Sequence, residues 1–169
     1  MSELADKLLE CGAVKFGDFT LTSGKKSSYY VDVKKASTKP DILGLIAEGM
    51  NRLVGEEHRL AGMELGAVPI AVALSLKCGN PYLILRKGAR KHGTGNQIEG
   101  EFNAGEKILL VEDVATTGGS IIRSAEILRN AGLIVDRALV VVDREEGASE
   151  AMQKIGISLE PLVRISDLM

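Results

Sequence analysis

Residues 107–120, Lys107-Ile108-Leu109-Leu110-Val111-Glu112-Asp113-Val114-Ala115-Thr116-Thr117-Gly118-Gly119-Ser120, constrain this chain more than any other stretch. Ile108 to Val111 form an unbroken apolar run of strand length, as a short buried strand requires. Two adjacent carboxylates, Glu112 and Asp113, close the run, and small and hydroxyl-bearing residues follow. Ile121, Ile122, Ala125 and Leu128 then recur at helical spacing. The order is strand, acidic pair, small-residue turn, helix. A turn feeding a helix start presents free backbone N–H groups and the positive end of the helix dipole, which suits a phosphate. Thr116, Thr117 and Ser120 add hydroxyl donors, and Gly118 and Gly119 let the backbone approach a ligand closely. Glu112 and Asp113 would repel a phosphate, so they should face another part of the ligand, such as a diol or a metal ion. A sugar phosphate satisfies both halves. Acidic residues at strand ends and hydroxyls at helix caps are each common; their ordered combination is not. The stretch is neither a Walker loop nor a dinucleotide-binding fingerprint.

At 169 residues the expected unit is one domain, 1–169, large enough for a real core. A hydrophobic share of 45% and a charged share of 26% belong to a globular protein. The net charge of −2 and the 4% aromatic content, with no Trp, argue against a nucleic-acid surface. Cys11 and Cys78 stand far apart without a Cys or His partner nearby, as reduced thiols of a cytoplasmic protein would. No apolar run approaches membrane-spanning length, and the acidic start, Met1 to Asp6, is unlike a secretory signal.

Along the chain, Ser2 can cap a short helix carrying Leu4, Leu8 and Leu9, stopped by Gly12. Two β-rich runs, Val14–Leu21 and Tyr29–Lys34, flank a turn at Ser23-Gly24-Lys25-Lys26 and read as a hairpin. Pro40 suits a first helical turn, and the apolar spacing carries that helix to Gly55. A strand at 60–63, a helix over 70–78, a strand at 82–85, a strand at 134–142 and a short helix through Ala151 and Ile155 follow. The stretch 157–163 reads as an edge strand because it contains Pro161. Residues 86–105 form the one long irregular stretch, Gly-rich and opening with Arg86, Lys87, Arg90, Lys91 and His92. Such loops inside compact domains are usually functional or disordered, and the cations directly after a buried strand, with glycines on both sides, favour a mobile lid over a solvated charge run. Strands alternating with helices give an α/β fold, a mostly parallel sheet flanked by helices. Ligands then bind at the carboxyl ends of the strands, where the loops 64–69, 86–105, 113–120 and 143–147 converge.

The central stretch resembles the phosphoribosyl-pyrophosphate (PRPP) motif of type I phosphoribosyltransferases. Phe16-x-x-Phe19-x-Leu21-x-Ser23-Gly24-Lys25-Lys26-Ser27-x-Tyr29 is similar to the hood of the orotate phosphoribosyltransferases within that family. Arg86-Lys87-x-x-Arg90-x-His92-Gly93 resembles their catalytic loop, and Asp143-Arg144-x-Glu146 their orotate-binding strand end. The resemblance runs in order from about Phe16 to Gly147. It implies the type I phosphoribosyltransferase fold, with a small N-terminal hood hairpin over about 1–36 and a core over about 37–169.

It also implies the reaction of PRPP with orotate, giving orotidine 5′-monophosphate and pyrophosphate in pyrimidine (UMP) biosynthesis. The implied catalytic residues are Arg86, Lys87, Arg90, His92 and Asp113. PRPP would be held by Arg86, Lys87, Arg90, His92, Glu112, Asp113, Val114, Ala115, Thr116, Thr117, Gly118, Gly119 and Ser120. Orotate would meet Thr116, Arg144 and Lys26. Mg2+ is the implied cofactor, bound mainly through substrate oxygens with no direct protein ligand set. A homodimer sharing the lid between subunits is implied as well, with neither nucleic acid nor membrane as partner. The family more often has Lys where this chain has Arg90, so the choice between Arg90 and Lys91 for the pyrophosphate stays open. Where some members carry a Lys before the hood's Ser-Gly, this chain has Thr22, and Lys25 or Lys26 can substitute. The alternatives are transfer to another base, which would have no carboxylate for Arg144, and a PRPP-sensing regulator without catalysis.

Overall fold

In the computed structural model, which describes residues 2–20, 24–88 and 96–169, the apolar run 108–111 lies inside a six-stranded sheet. The elements in chain order are α1 (Glu3–Glu10), β1 (Val14–Thr20), β2 (Lys26–Val31), α2 (Val33–Ser37), α3 (Pro40–Asn51), β3 (Arg59–Met63), α4 (Ala67–Cys78) and β4 (Tyr82–Leu85). Then come β5 (Ile98–Glu99), β6 (Lys107–Ala115), α5 (Gly119–Asn130), β7 (Ile134–Asp143), α6 (Ala148–Lys154), β8 (Ser158–Arg164) and a closing 3-10 turn, Ile165–Leu168. The sheet order is β5-β4-β3-β6-β7-β8. Neighbours are parallel except at β4–β5. β1 and β2 form a separate antiparallel hairpin.

Alternation along β6 explains why its apolar run is continuous. Leu109 and Val111 join a core that contains Ile42, Ile46 and Met50 of α3 and Ile70 and Leu74 of α4. Ile108 and Leu110 point to the other side, into a core with Ile121, Ala125 and Leu128 of α5 and Met152 of α6. Helices therefore cover both faces, as a parallel sheet demands. β8 is an edge strand, where the missing N–H of Pro161 is tolerated.

Several boundaries differ from the sequence expectation, each for a physical reason. β2 ends at Val31 instead of running on to Lys34, and α2 begins at Val33. Val33 and Ala36 are fully buried in the first core, a burial gained by turning the chain inward. α4 starts at Ala67, three residues early, because Pro69 falls in the first turn, where a helix needs no N–H. α3 stops at Asn51 and does not reach Gly55. There Arg137 Nη2 donates to Leu53 O at 2.7 Å, and Gly55 N donates to Glu57 Oε2 at 2.7 Å. Those backbone groups are satisfied without a helix. The same Arg137 donates to Glu57 Oε1 and Glu160 Oε1, tying β3's approach to β7 and β8. Residues 98–99 of the irregular stretch add a two-residue strand beside β4. Among the described residues no helix is long and apolar enough to cross a membrane.

Candidate active site

β6 runs further than its apolar residues. Backbone pairing with β7 continues through Glu112–Val140 and Val114–Val142 to Ala115–Asp143. The acidic pair therefore lies within the strand instead of closing it, and alternation separates the two side chains. Glu112 is buried at 7% exposure, while Asp113 is half-buried. Glu112 Oε2 accepts from Ser120 Oγ at 2.8 Å, and Glu112 Oε1 accepts from Asp113 N at 3.1 Å. The Ser120 hydroxyl, expected at the phosphate, is thus engaged by a carboxylate. Burial, and next the neighbouring Asp113, push the Glu112 carboxyl up to about 8, against the lowering effect of Ser120. Asp113 Oδ1 accepts from Val114 N at 2.9 Å.

The turn 116–118 leads into α5 as expected. Gly118 stands at the cap with φ +88°, a left-handed conformation that favours glycine. A Cβ there would also stand 2.7 Å from Met152 Cε. Val114, Ala115, Thr116, Gly118, Gly119 and Ser120 line a small recess at the helix start, the place for an anion.

Beside it, a cavity of about 260 Å3 gathers Lys34, Glu64, Gly66, Lys87, Glu112 and Asp113. Three strand ends and the segment after the hairpin meet there. Lys87 is held at its backbone from two sides. Its N–H donates to Glu64 Oε1 at 2.8 Å, and its carbonyl accepts from Arg123 Nη2 of α5. Arg86 turns toward Glu99, with Nε to Oε1 at 2.7 Å. Arg90 and His92 lie outside the described residues, as does Lys91.

A further cavity, about 220 Å3, joins the hairpin to the end of β7. Lys26, Ser27, Tyr29, Arg144 and Glu146 line it. The Arg144 guanidinium lies over the Tyr29 ring, 4.8 Å from its centroid, and is 9% exposed. Its Nε and Nη2 are buried without a hydrogen-bond acceptor among the described residues. Such donors are costly unless a ligand satisfies them. The structure thus brings Lys26 to Arg144, and Lys87 to Glu112 and Asp113.

The match to known proteins covers nearly the whole chain. Residues 36–160 match the model of the phosphoribosyl transferase domain. The orotate phosphoribosyltransferase of Pyrococcus furiosus is 54% identical over 170 residues, covering 98% of this chain and 93% of that protein. This chain belongs to the orotate phosphoribosyltransferase family. Solved orotate phosphoribosyltransferases have the same fold. The enzyme from Aeropyrum pernix superposes with a TM-score of 0.87 at 35% identity, covering 98% of this chain and 95% of that one. The Mycobacterium tuberculosis orotate phosphoribosyltransferase in complex with PRPP gives a TM-score of 0.82 at 30% identity, covering 98% and 96%.

Lys34 and Glu64, which line the cavity, and Arg123, which holds Lys87, were not legible as site neighbours in the sequence. For Glu64 the signal was partial, since the loop 64–69 follows a strand and contains Gly66. For Arg123 there was none, because its contact with Lys87 spans 36 residues.

Proposed function

We propose that this protein transfers the 5-phosphoribosyl group of PRPP to orotate, releasing pyrophosphate and forming orotidine 5′-monophosphate for pyrimidine nucleotide synthesis. The observation that carries the choice of base is Arg144. It offers buried, unsatisfied guanidinium donors in a cavity next to Lys26, and a planar carboxylate can take two of them at once. Uracil or a purine has no such group.

In this reading the recess at the start of α5 takes the 5-phosphate, through backbone N–H groups and the Thr116 and Thr117 hydroxyls. Asp113 accepts from a ribose hydroxyl. Glu112, neutral below about pH 8, is tied to Ser120 and braces the strand beneath it. Breaking the bond at the anomeric carbon builds positive charge on the ribose and negative charge on the departing pyrophosphate. Lys87, together with Arg86, Arg90 and His92 of the same stretch, supplies the charge that meets the leaving group. Excluding water there matters, because hydrolysis competes with transfer.

Among the described residues no three His, Cys, Asp or Glu side chains gather as a metal cage. Asp113 puts hard oxygen donors in the cavity, which suits Mg2+ carried mainly by substrate oxygens. When bound, the ion would neutralise pyrophosphate charge. The protein acts as one unit, hood about 1–36 and core about 37–169, in a homodimer of the cytoplasm that shares the 86–105 stretch between subunits. The test of the base assignment is Arg144→Ala. Losing charged hydrogen bonds of roughly 1.5–3 kcal/mol each should raise the orotate KM at least about tenfold, with the PRPP KM unchanged and partial recovery in Arg144→Lys. Normal orotate binding, or an equal loss of PRPP binding, would reject Arg144 as the clamp.

A further inference from the structure

Arg144 is already in contact with a carboxylate of its own chain. Glu146 Oε1 lies 2.8 Å from Arg144 Nη2, yet Nη2 makes no hydrogen bond among the described residues. The oxygen is close enough for charge attraction but lies off the N–H directions that a hydrogen bond requires. Glu146 is held in that place by the hairpin. Tyr29 Oη donates to the same Oε1 at 3.2 Å and shares its proton with Arg144 O at 3.3 Å. The Tyr29 ring meanwhile supports the guanidinium. Guanidinium, phenol and carboxylate thus form one closed set at the mouth of the cavity next to Lys26.

We infer that Glu146 is an internal competitor for Arg144, a carboxylate that an acidic base must displace and that a neutral base cannot. This inference rests on the assignment of Arg144 to the base carboxylate. An entering carboxylate that lines up with Nε and Nη2 makes two charged hydrogen bonds that Glu146 does not make, so the exchange favours it. A neutral base makes no such bonds and leaves the Arg144–Glu146 pair in place. Glu146 thereby lowers the affinity for an acidic base, which must displace it from Arg144, and has no such effect on a base that leaves the pair in place. Its departure also removes one acceptor from Tyr29, which links arrival of the base to the hairpin. Glu146 is a positioning residue that sets the affinity for an acidic base through Arg144.

The test compares wild-type protein with Glu146→Gln, which keeps the shape and an acceptor for Tyr29 but removes the charge. Orotate KM, PRPP KM and kcat are measured with Mg2+ present. The expected result is an orotate KM lowered about three- to fivefold, the range of a partly exposed ion pair, with an unchanged PRPP KM. Glu146→Asp, which withdraws the carboxylate by one methylene, should fall between the two and guards against misfolding of the Gln variant. An orotate KM that is unchanged or higher in both variants overturns the inference. So does an equal fall in the KM of both substrates, which would mark a general loosening. Wild-type protein that forms no nucleotide from orotate would instead reject the assigned reaction, so the two failures are told apart by the control.

Discussion

A Cβ on Gly66 would stand 2.1 Å from Asp113 Oδ2 and 2.7 Å from its carboxyl carbon. Gly66 has an ordinary helical backbone, with φ −65° and ψ −34°, so its need is for space and not for conformation. The loop after β3 is therefore fitted to the carboxylate at the end of β6. Gly66→Ala should leave the fold intact, because the Asp113 side chain can swing aside. It should also take that carboxylate out of position for a ribose hydroxyl. We expect PRPP affinity to drop at least about tenfold by calorimetry, near the cost of one charged hydrogen bond, with little change in Tm. Unaltered affinity would remove Asp113 from the ribose site.

Arg123 and Glu64 grip the Lys87 peptide from opposite sides. If that grip sets where the Lys87 ammonium meets the leaving group, loosening it should slow the chemical step more than it weakens binding. Arg123→Ala is expected to lower kcat about tenfold or more, leave the orotate KM unchanged, and recover in part with Arg123→Lys. A raised KM with normal kcat would contradict this role.

The alternation of strands and helices was legible in the sequence because each apolar run is short and helices such as α1, α3 and α5 are amphipathic, α4 being apolar nearly all round. So was the acidic pair followed by a phosphate-type turn. The fate of the carboxylates was not. Backbone pairing with β7 carries β6 through Glu112 to Ala115 whatever the side chains are, so polarity misplaces the strand's end. The contacts of Arg123 with Lys87 and of Tyr29 with Glu146 join residues 36 and 117 positions apart. Periodicity and turn chemistry act over a few residues and carry no information at that range. Lys34 was read into a strand, whereas α2, by turning at Val33, delivers it to the cavity.

Glu112 supplies a pH dependence whose sign is fixed. Its carboxyl, ordinarily near 4.5, is pushed to about 8 by burial and by Asp113. Below about pH 4.5 it is neutral in folded and unfolded chains alike, and its contribution to stability is complete. Between about pH 4.5 and 8 the unfolded chain ionises while the folded one resists, so that contribution is lost as pH rises. Glu112→Gln is neutral throughout and lacks this slope. Thermal melts of substrate-free protein at about pH 5 and about pH 8 should show the Gln variant gaining on the wild type at the higher pH. A constant difference in Tm would contradict a neutral Glu112.

Sharing of the 86–105 stretch between subunits can be tested by mixing two damaged proteins. Asp113→Ala and His92→Ala should each be nearly inactive; His92 is chosen because Lys87 already shares a cavity with Asp113 of its own chain. A mixed dimer with crossed loops holds one site with both residues intact. Activity should therefore rise toward about a quarter of the wild-type level, from half of the dimers being mixed with one good site each, once subunits exchange. No recovery after verified exchange would mean that each stretch serves its own subunit.

The central claim is the identity of the acceptor base, and one measurement addresses it directly. Purified protein is incubated with PRPP and Mg2+ and offered orotate, uracil, adenine, guanine and hypoxanthine separately, with nucleotides resolved by chromatography. Orotidine 5′-monophosphate and pyrophosphate should appear in equal amounts with orotate, and no nucleotide should form with the other bases. Nucleotide formed from a base without a carboxylate, or no product from orotate, would contradict the account.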